Sequence, residues 1–124
     1  MSQILTQDLR RTAHYLVSEA NGFRSREQVV IAGGAGVVRA GAVLGQVTAS
    51  KKYVPYAPGA ADGSQTAKAI LYEGCDATSA DIRRTVTARD TEVEGAALQW
   101  AAGVNDAQKT SALAALAALR IIAR

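Results

Sequence analysis

The chain has 124 residues, 48% of them hydrophobic but only 5% aromatic, and a formal net charge of +3. This length suits one domain, and a core of Ala, Val, Leu and Ile buries little area per side chain, at roughly 25 cal/mol per Å², so a subunit gains from association. The positive charge is scattered, with Arg10-Arg11, Lys51-Lys52 and Arg83-Arg84 the only basic doublets, which argues against a nucleic-acid surface of clustered cations and stacking aromatics.

Residues 1–28 are rich in polar and charged residues, nearly free of glycine and without a sustained helical stripe. Tyr15, Leu16 and Val17 have strand propensity but no hairpin partner nearby, and Asn21-Gly22 signals a turn. Two readings stand side by side. Either this is an extended arm, mobile in the free protein, that adds Tyr15, Leu16, Val17, Ser18 and Glu19 as a strand to a partner's sheet, or it packs on its own domain. The first reading divides the chain into an arm at 1–28 and a domain at 29–124, with residues 1–20 removable without unfolding the domain.

From residue 29 the pattern changes. Val29-Val30-Ile31, Val37-Val38, Val43-Leu44 and Tyr53-Val54 are short β-branched or apolar runs separated by glycine turns. They predict a set of short strands with little room for a ligand. Pro55 and Pro58 end this stretch, and 57–65 is a surface loop with the turn pair Asp62-Gly63. Ala67–Tyr72 reads as a central strand covered on both faces, with Ile70 and Tyr72 on one side and Leu71 on the other. A polar loop at 76–81, a strand at 85–89, a continued alternation through Glu92-Val93-Glu94 and a short strand carrying Leu98 and Trp100 follow. Asn105 and Gln108 form a capping-box pair for a helix from Asp106 to about Leu119. Leu113, Leu116 and Leu119 lie within one arc of it, yet nothing from Ala112 to Leu119 is polar, so the helix is expected to be covered on more than one side. Ile121 and Ile122 predict a terminal strand.

Residues that carry chemistry are few. Cys75 is the only cysteine, so no intrachain disulfide can form, and His14 is the only histidine. Zinc ligation and a Ser-His-Asp or Cys-His centre both lack their parts. Gly33-Gly34-Ala35-Gly36 imitates a nucleotide loop, but Arg39 stands where a third glycine belongs and Val37-Val38 predicts a strand rather than a helix. Asp90, Glu92 and Glu94 share a strand face without the loop carbonyls of a calcium site. The expectation is no cofactor and no metal. The N-terminal residues, with Asp8 and Arg10, hold no apolar h-region, so no signal peptide is expected, and the longest apolar run, Ala112 to Leu119, falls far short of the ~18 residues of a membrane span. These features predict a protein made and used in a reducing cytoplasm, with no membrane and no nucleic-acid partner.

One ordered series remains. Ser25-Arg26-Glu27-Gln28-Val29, Ala40-Gly41-Ala42-Val43-Leu44-Gly45 and Lys52-Tyr53-Val54-Pro55-Tyr56 come first. Ala61-Asp62-Gly63, Ala69-Ile70-Leu71-Tyr72, Arg89-Asp90 and Leu98-Gln99-Trp100 follow, and an alanine–leucine helix runs into Ile121-Ile122. From about residue 15 to the end this series resembles the head decoration proteins of tailed bacteriophages, the lambda D-protein family. The resemblance implies a non-enzymatic virion protein that binds the outside of the expanded head as homotrimers and reinforces it, with the major capsid protein as partner of the arm. The fold expected is α+β and β-rich: a compact β-barrel or β-clip-like domain with one C-terminal helix and an extended N-terminal arm. Trp100, Leu113, Leu116 and Leu119 are the residues expected at subunit contacts. The competing reading is a β-clip-like module for a small ligand or glycan, with Trp100 and Tyr56 lining a saccharide site.

Overall fold

The computed structural model describes residues 12–124. Five strands, β2 (Arg26–Ile31), β5 (Tyr53–Pro55), β4 (Val43–Gln46), β6 (Ala67–Leu71) and β8 (Ile82–Thr87), close into a barrel in that order. The longest seam is antiparallel, β2 against β8, from Arg26 opposite Thr87 to Ile31 opposite Ile82. Closure comes from one parallel pair, Ile31 opposite Tyr53. A two-stranded sheet of β3 (Gly36–Val38) and β7 (Cys75–Ala77) lies apart from the barrel ladder. A second small sheet, in the order β1 (Leu16–Glu19), β9 (Thr91–Val93), β10 (Ile121–Ala123), gathers both ends of the described chain.

The alternation of side chains across strands divides the core in two. On β6, Ala69 and Leu71 join Ile31, Leu44, Tyr53, Cys75 and Val86 in one apolar cluster. Ile70, from the opposite face of the same strand, joins Tyr15, Val43, Val93, Leu98, Leu116 and Ile121 in the other. This central strand is therefore covered on both faces, as its sequence predicts. Small residues allow the close approach this requires. A Cβ added at Gly45 would stand 2.5 Å from the Ser64 carbonyl oxygen. That loop is held in turn by Asp62, whose carboxylate accepts from both the Ser64 amide and hydroxyl.

The helix α1 (Asp106–Ala118) starts at the predicted capping box: Asn105 accepts from the Gln108 amide while Gln108 accepts from the Asn105 amide. It ends where Arg120 takes a left-handed conformation, φ 63°, which turns the chain into β10, parallel to β9. Ala112 and Leu116 are its buried residues.

Several expectations are corrected. Tyr15–Glu19 does not lack a partner: β1 pairs antiparallel with β9, Leu16 opposite Val93 and Glu19 opposite Thr91, with a bulge between Leu16 and Ser18. The barrel strand β2 begins at Arg26, so the folded unit starts well before residue 29, and removing residues 1–20 would strip Tyr15 from the core. Residues 1–11 of the expected arm lie outside the described residues. The polar stretch 76–81 opens as strand β7 against β3, since Cys75 and Ala77 are small enough to be fully buried. The strand expected at 85–89 begins earlier, at Ile82. Leu98 and Trp100 flank a single bridge, Gln99 to Ala42, after a 3-10 turn at Gly95–Ala97.

The packing of Gly45 gives a direct test. Gly45→Ala drives its Cβ into backbone that cannot swing away and should cost about 1–3 kcal/mol in urea unfolding. Gly59→Ala, with nothing within 4 Å of the new Cβ, should change stability by no more than about 0.5 kcal/mol.

Candidate interaction surface

The first described residues are held by one aromatic anchor. Tyr15 is fully buried, and its hydroxyl shares a 2.6 Å hydrogen bond with the buried Thr87 hydroxyl on β8. Burial pushes the phenol pKa up, so the ring stays neutral. The Tyr15 carbonyl accepts from the Glu94 amide, and the Ala13 amide donates to the Tyr72 carbonyl. Leu16 packs on the same apolar cluster, whereas Val17 stands 57% exposed and Ser18 is exposed beside it. The bulge opposes Val17 and Ser18 to the Glu92 side of β9. β1 is the first strand of its sheet, so its outer edge has no strand partner among the described residues.

Ion pairs lace this sheet. Glu92 accepts from the Ser18 hydroxyl at 2.7 Å and from Arg124 Nε at 2.7 Å, linking β1 and β9 to the residue that follows β10. Arg120 donates to Asp90 at 2.8 Å. Glu19 receives Arg26 through Nε at 3.1 Å and Nη2 at 2.5 Å, and also the buried Ser25 hydroxyl. These contacts hold the carboxyls of Glu19, Asp90 and Glu92 below the ordinary range, chiefly through Arg26, Arg120 and Ser18 respectively, with Arg124 adding to the last. Asp90 and Glu92 are thus engaged with arginines across the sheet rather than converging on a cation.

The residues expected between subunits separate. Leu116 is 1% exposed, buried in the core of its own domain rather than on its surface. Trp100, Leu113 and Leu119 lie half-buried around the same cluster. Tyr56 and Trp100 meet edge to face at 6.3 Å, the Tyr56 hydroxyl donates to the Gln108 carbonyl, and Lys109 approaches the Trp100 ring at 5.9 Å. The two rings thus pack against each other, Tyr56 buried and Trp100 half-buried. The Cys75 thiol is buried, and desolvation raises its pKa, which leaves it a small core residue. Phe23, 78% exposed at the tip of the turn before β2, escaped the sequence reading. The run Asn21-Gly22-Phe23-Arg24 carried its signal, an aromatic set directly in a turn.

The fold is thus a small closed barrel with a three-stranded sheet whose end strand β1 has no outer strand partner among the described residues. The chain belongs to the bacteriophage lambda head decoration protein D family, whose family model matches residues 4–121. It is accordingly a phage head decoration protein, a component of the virion capsid. No curated protein matches the chain.

Two expectations follow from the anchor and the ion pairs. Tyr15→Phe leaves the buried Thr87 hydroxyl without its partner and should cost about 1–3 kcal/mol in thermal or urea unfolding. The three carboxyls are depressed in the folded state, so their contribution is fully present above the unfolded carboxyl range of about pH 4. It is lost as pH falls through their lower folded values. Melting temperature should therefore be flat from pH 7 to about 5 and fall below about pH 4, and Glu92→Gln should flatten part of that fall.

Proposed function

We propose that this protein binds the outer surface of the expanded phage head as trimers, with the major capsid protein as its partner, and stabilises the lattice without catalysing a reaction. It is synthesised in the host cytoplasm and recruited there during assembly. The single observation that supports the contact is the outer edge of β1, which pairs with no strand among the described residues. An edge strand presents unpaired backbone groups to another chain, and Val17 and Ser18 on this strand are exposed. The contact set is thus the segment before Tyr15 together with Val17 and Ser18. Tyr15, Leu16 and Glu19 hold the strand in place from behind.

Recognition through backbone bonds worth about 0.5–1.5 kcal/mol each needs several bonds and apolar burial. Ile4, Leu5 and Leu9 offer that burial, and three linked copies multiply it through avidity. Association of subunits is supported by the outer side of α1, where exposed Ala114, Ala117 and Ala118 offer no charge, and by half-buried Trp100, Leu113 and Leu119. The threefold number follows the family resemblance.

Co-sedimentation with expanded, undecorated heads is the test. Deleting residues 1–11 should abolish binding while the melting temperature and the mass by light scattering stay unchanged. Wild-type affinity in the deletion would sink the role of that segment. A trimer mass is expected for the full chain, and a dimer would contradict the assembly.

A further inference from the structure

Beside the path of the first described residues lies an open groove of about 340 Å³ lined by Phe23, Arg26, Glu27, Gln28, Tyr72 and Thr85. Its wall is pre-set. The Arg26 guanidinium lies over the Tyr72 ring at 4.3 Å and near the Phe23 ring at 5.6 Å. Glu19 locks it there with two hydrogen bonds. The turn itself is pinned where the Arg26 amide donates to the Phe23 carbonyl, after Gly22 at φ 68°. Phe23 therefore stands in water at 78% exposure on a backbone already in place, which lowers the ordering cost of a contact. Exposed aromatics beside an ordered arginine are the residue types that dominate interface energetics.

We propose that this groove is a second anchor on the capsid lattice, seating an uncharged apolar side chain, aliphatic or proline, of the capsid protein against Phe23. The inference rests on the decoration reading above and adds a site to it. Charge selects the occupant. Arg26 is neutralised by Glu19 and Glu27 by Arg89, while Gln28 donates to Thr85. Among the described residues no unpaired charge lines the groove to reward an ionic ligand, and a charged one would lose hydration without a partner. Continuity selects the source. The Ala13 amide is bonded to the Tyr72 carbonyl at 2.9 Å, so the first described residues lie beside this groove. Glu19 of β1 forms its support. Groove, β1 and the first described residues make one continuous surface.

The test is titration of full-length Phe23→Ala and Phe23→Trp against expanded heads lacking decoration protein, with thermal melts and light-scattering mass alongside. Phe23→Ala should weaken binding by about tenfold or more, with melting temperature and mass unchanged, and Phe23→Trp should restore most of the affinity. Binding by Phe23→Ala within about twofold of wild type, the ordinary outcome for most interface truncations, would overturn the proposal. So would loss of oligomeric mass in that variant, which would place Phe23 between copies of this chain. Failure of the wild-type protein to bind heads would instead reject the decoration reading itself.

Discussion

The structure turns on the burial of Tyr15. In a chain with one Trp, one Phe and four Tyr, a fully buried tyrosine supplies apolar area that alanine and valine cannot. Its ring sits among Val43 and Ile70 of the barrel, Val93 and Ile121 of the small sheet and Leu116 of the helix. Its hydroxyl satisfies Thr87 in the barrel wall. Barrel, sheet and helix therefore share one side chain contributed from near the chain's beginning. Strand β1 follows as a consequence: once Tyr15 is inserted, Leu16–Glu19 is laid along β9, and the bulge turns Val17 and Ser18 outward.

This arrangement explains why part of the fold was legible in the sequence and part was not. The helix start was readable because the capping box is local, three residues wide, and observed atom for atom in Asn105 and Gln108. The covered strand β6 was readable because Ile70 and Leu71 are both large and apolar and point opposite ways. The β1 partner was hidden, because Ser18 finds Glu92 across 74 residues and a three-residue β9 carries no pattern of its own. Strand β7 was hidden too: Asp76 and Thr78 look like loop residues, and they do bond to each other as one. The small Cys75 and Ala77 face inward between them.

The surface was less legible than the core, for the same physical reason. Exposed positions obey weak rules, so Val17, Phe23 and Trp100 are distinguished only by what lies beside them in space. Among the residues expected at contacts, burial moved Tyr15 and Leu116 inside and left Val17 and Ser18 outside. The sheet that bears β1 also holds β10, and Glu92 ties β9 to β1 and to the residue that follows β10, so the two ends of the described chain are fixed to one small platform. Under the proposed function, that platform presents an edge strand and a few apolar side chains to a repeating lattice.

The contacts of β1 make it part of the cooperative fold of the free protein. Amide hydrogen exchange on the unbound protein tests it directly. The amides of Ala13, Ala20 and Glu94 donate to Tyr72, Asp90 and Tyr15 respectively. They should exchange as slowly as the Thr91 amide, which is bonded to the Arg120 carbonyl just before β10. Exchange of Ala13 and Ala20 at unstructured-peptide rates, with Thr91 and the barrel still protected, would contradict it and restore a free arm.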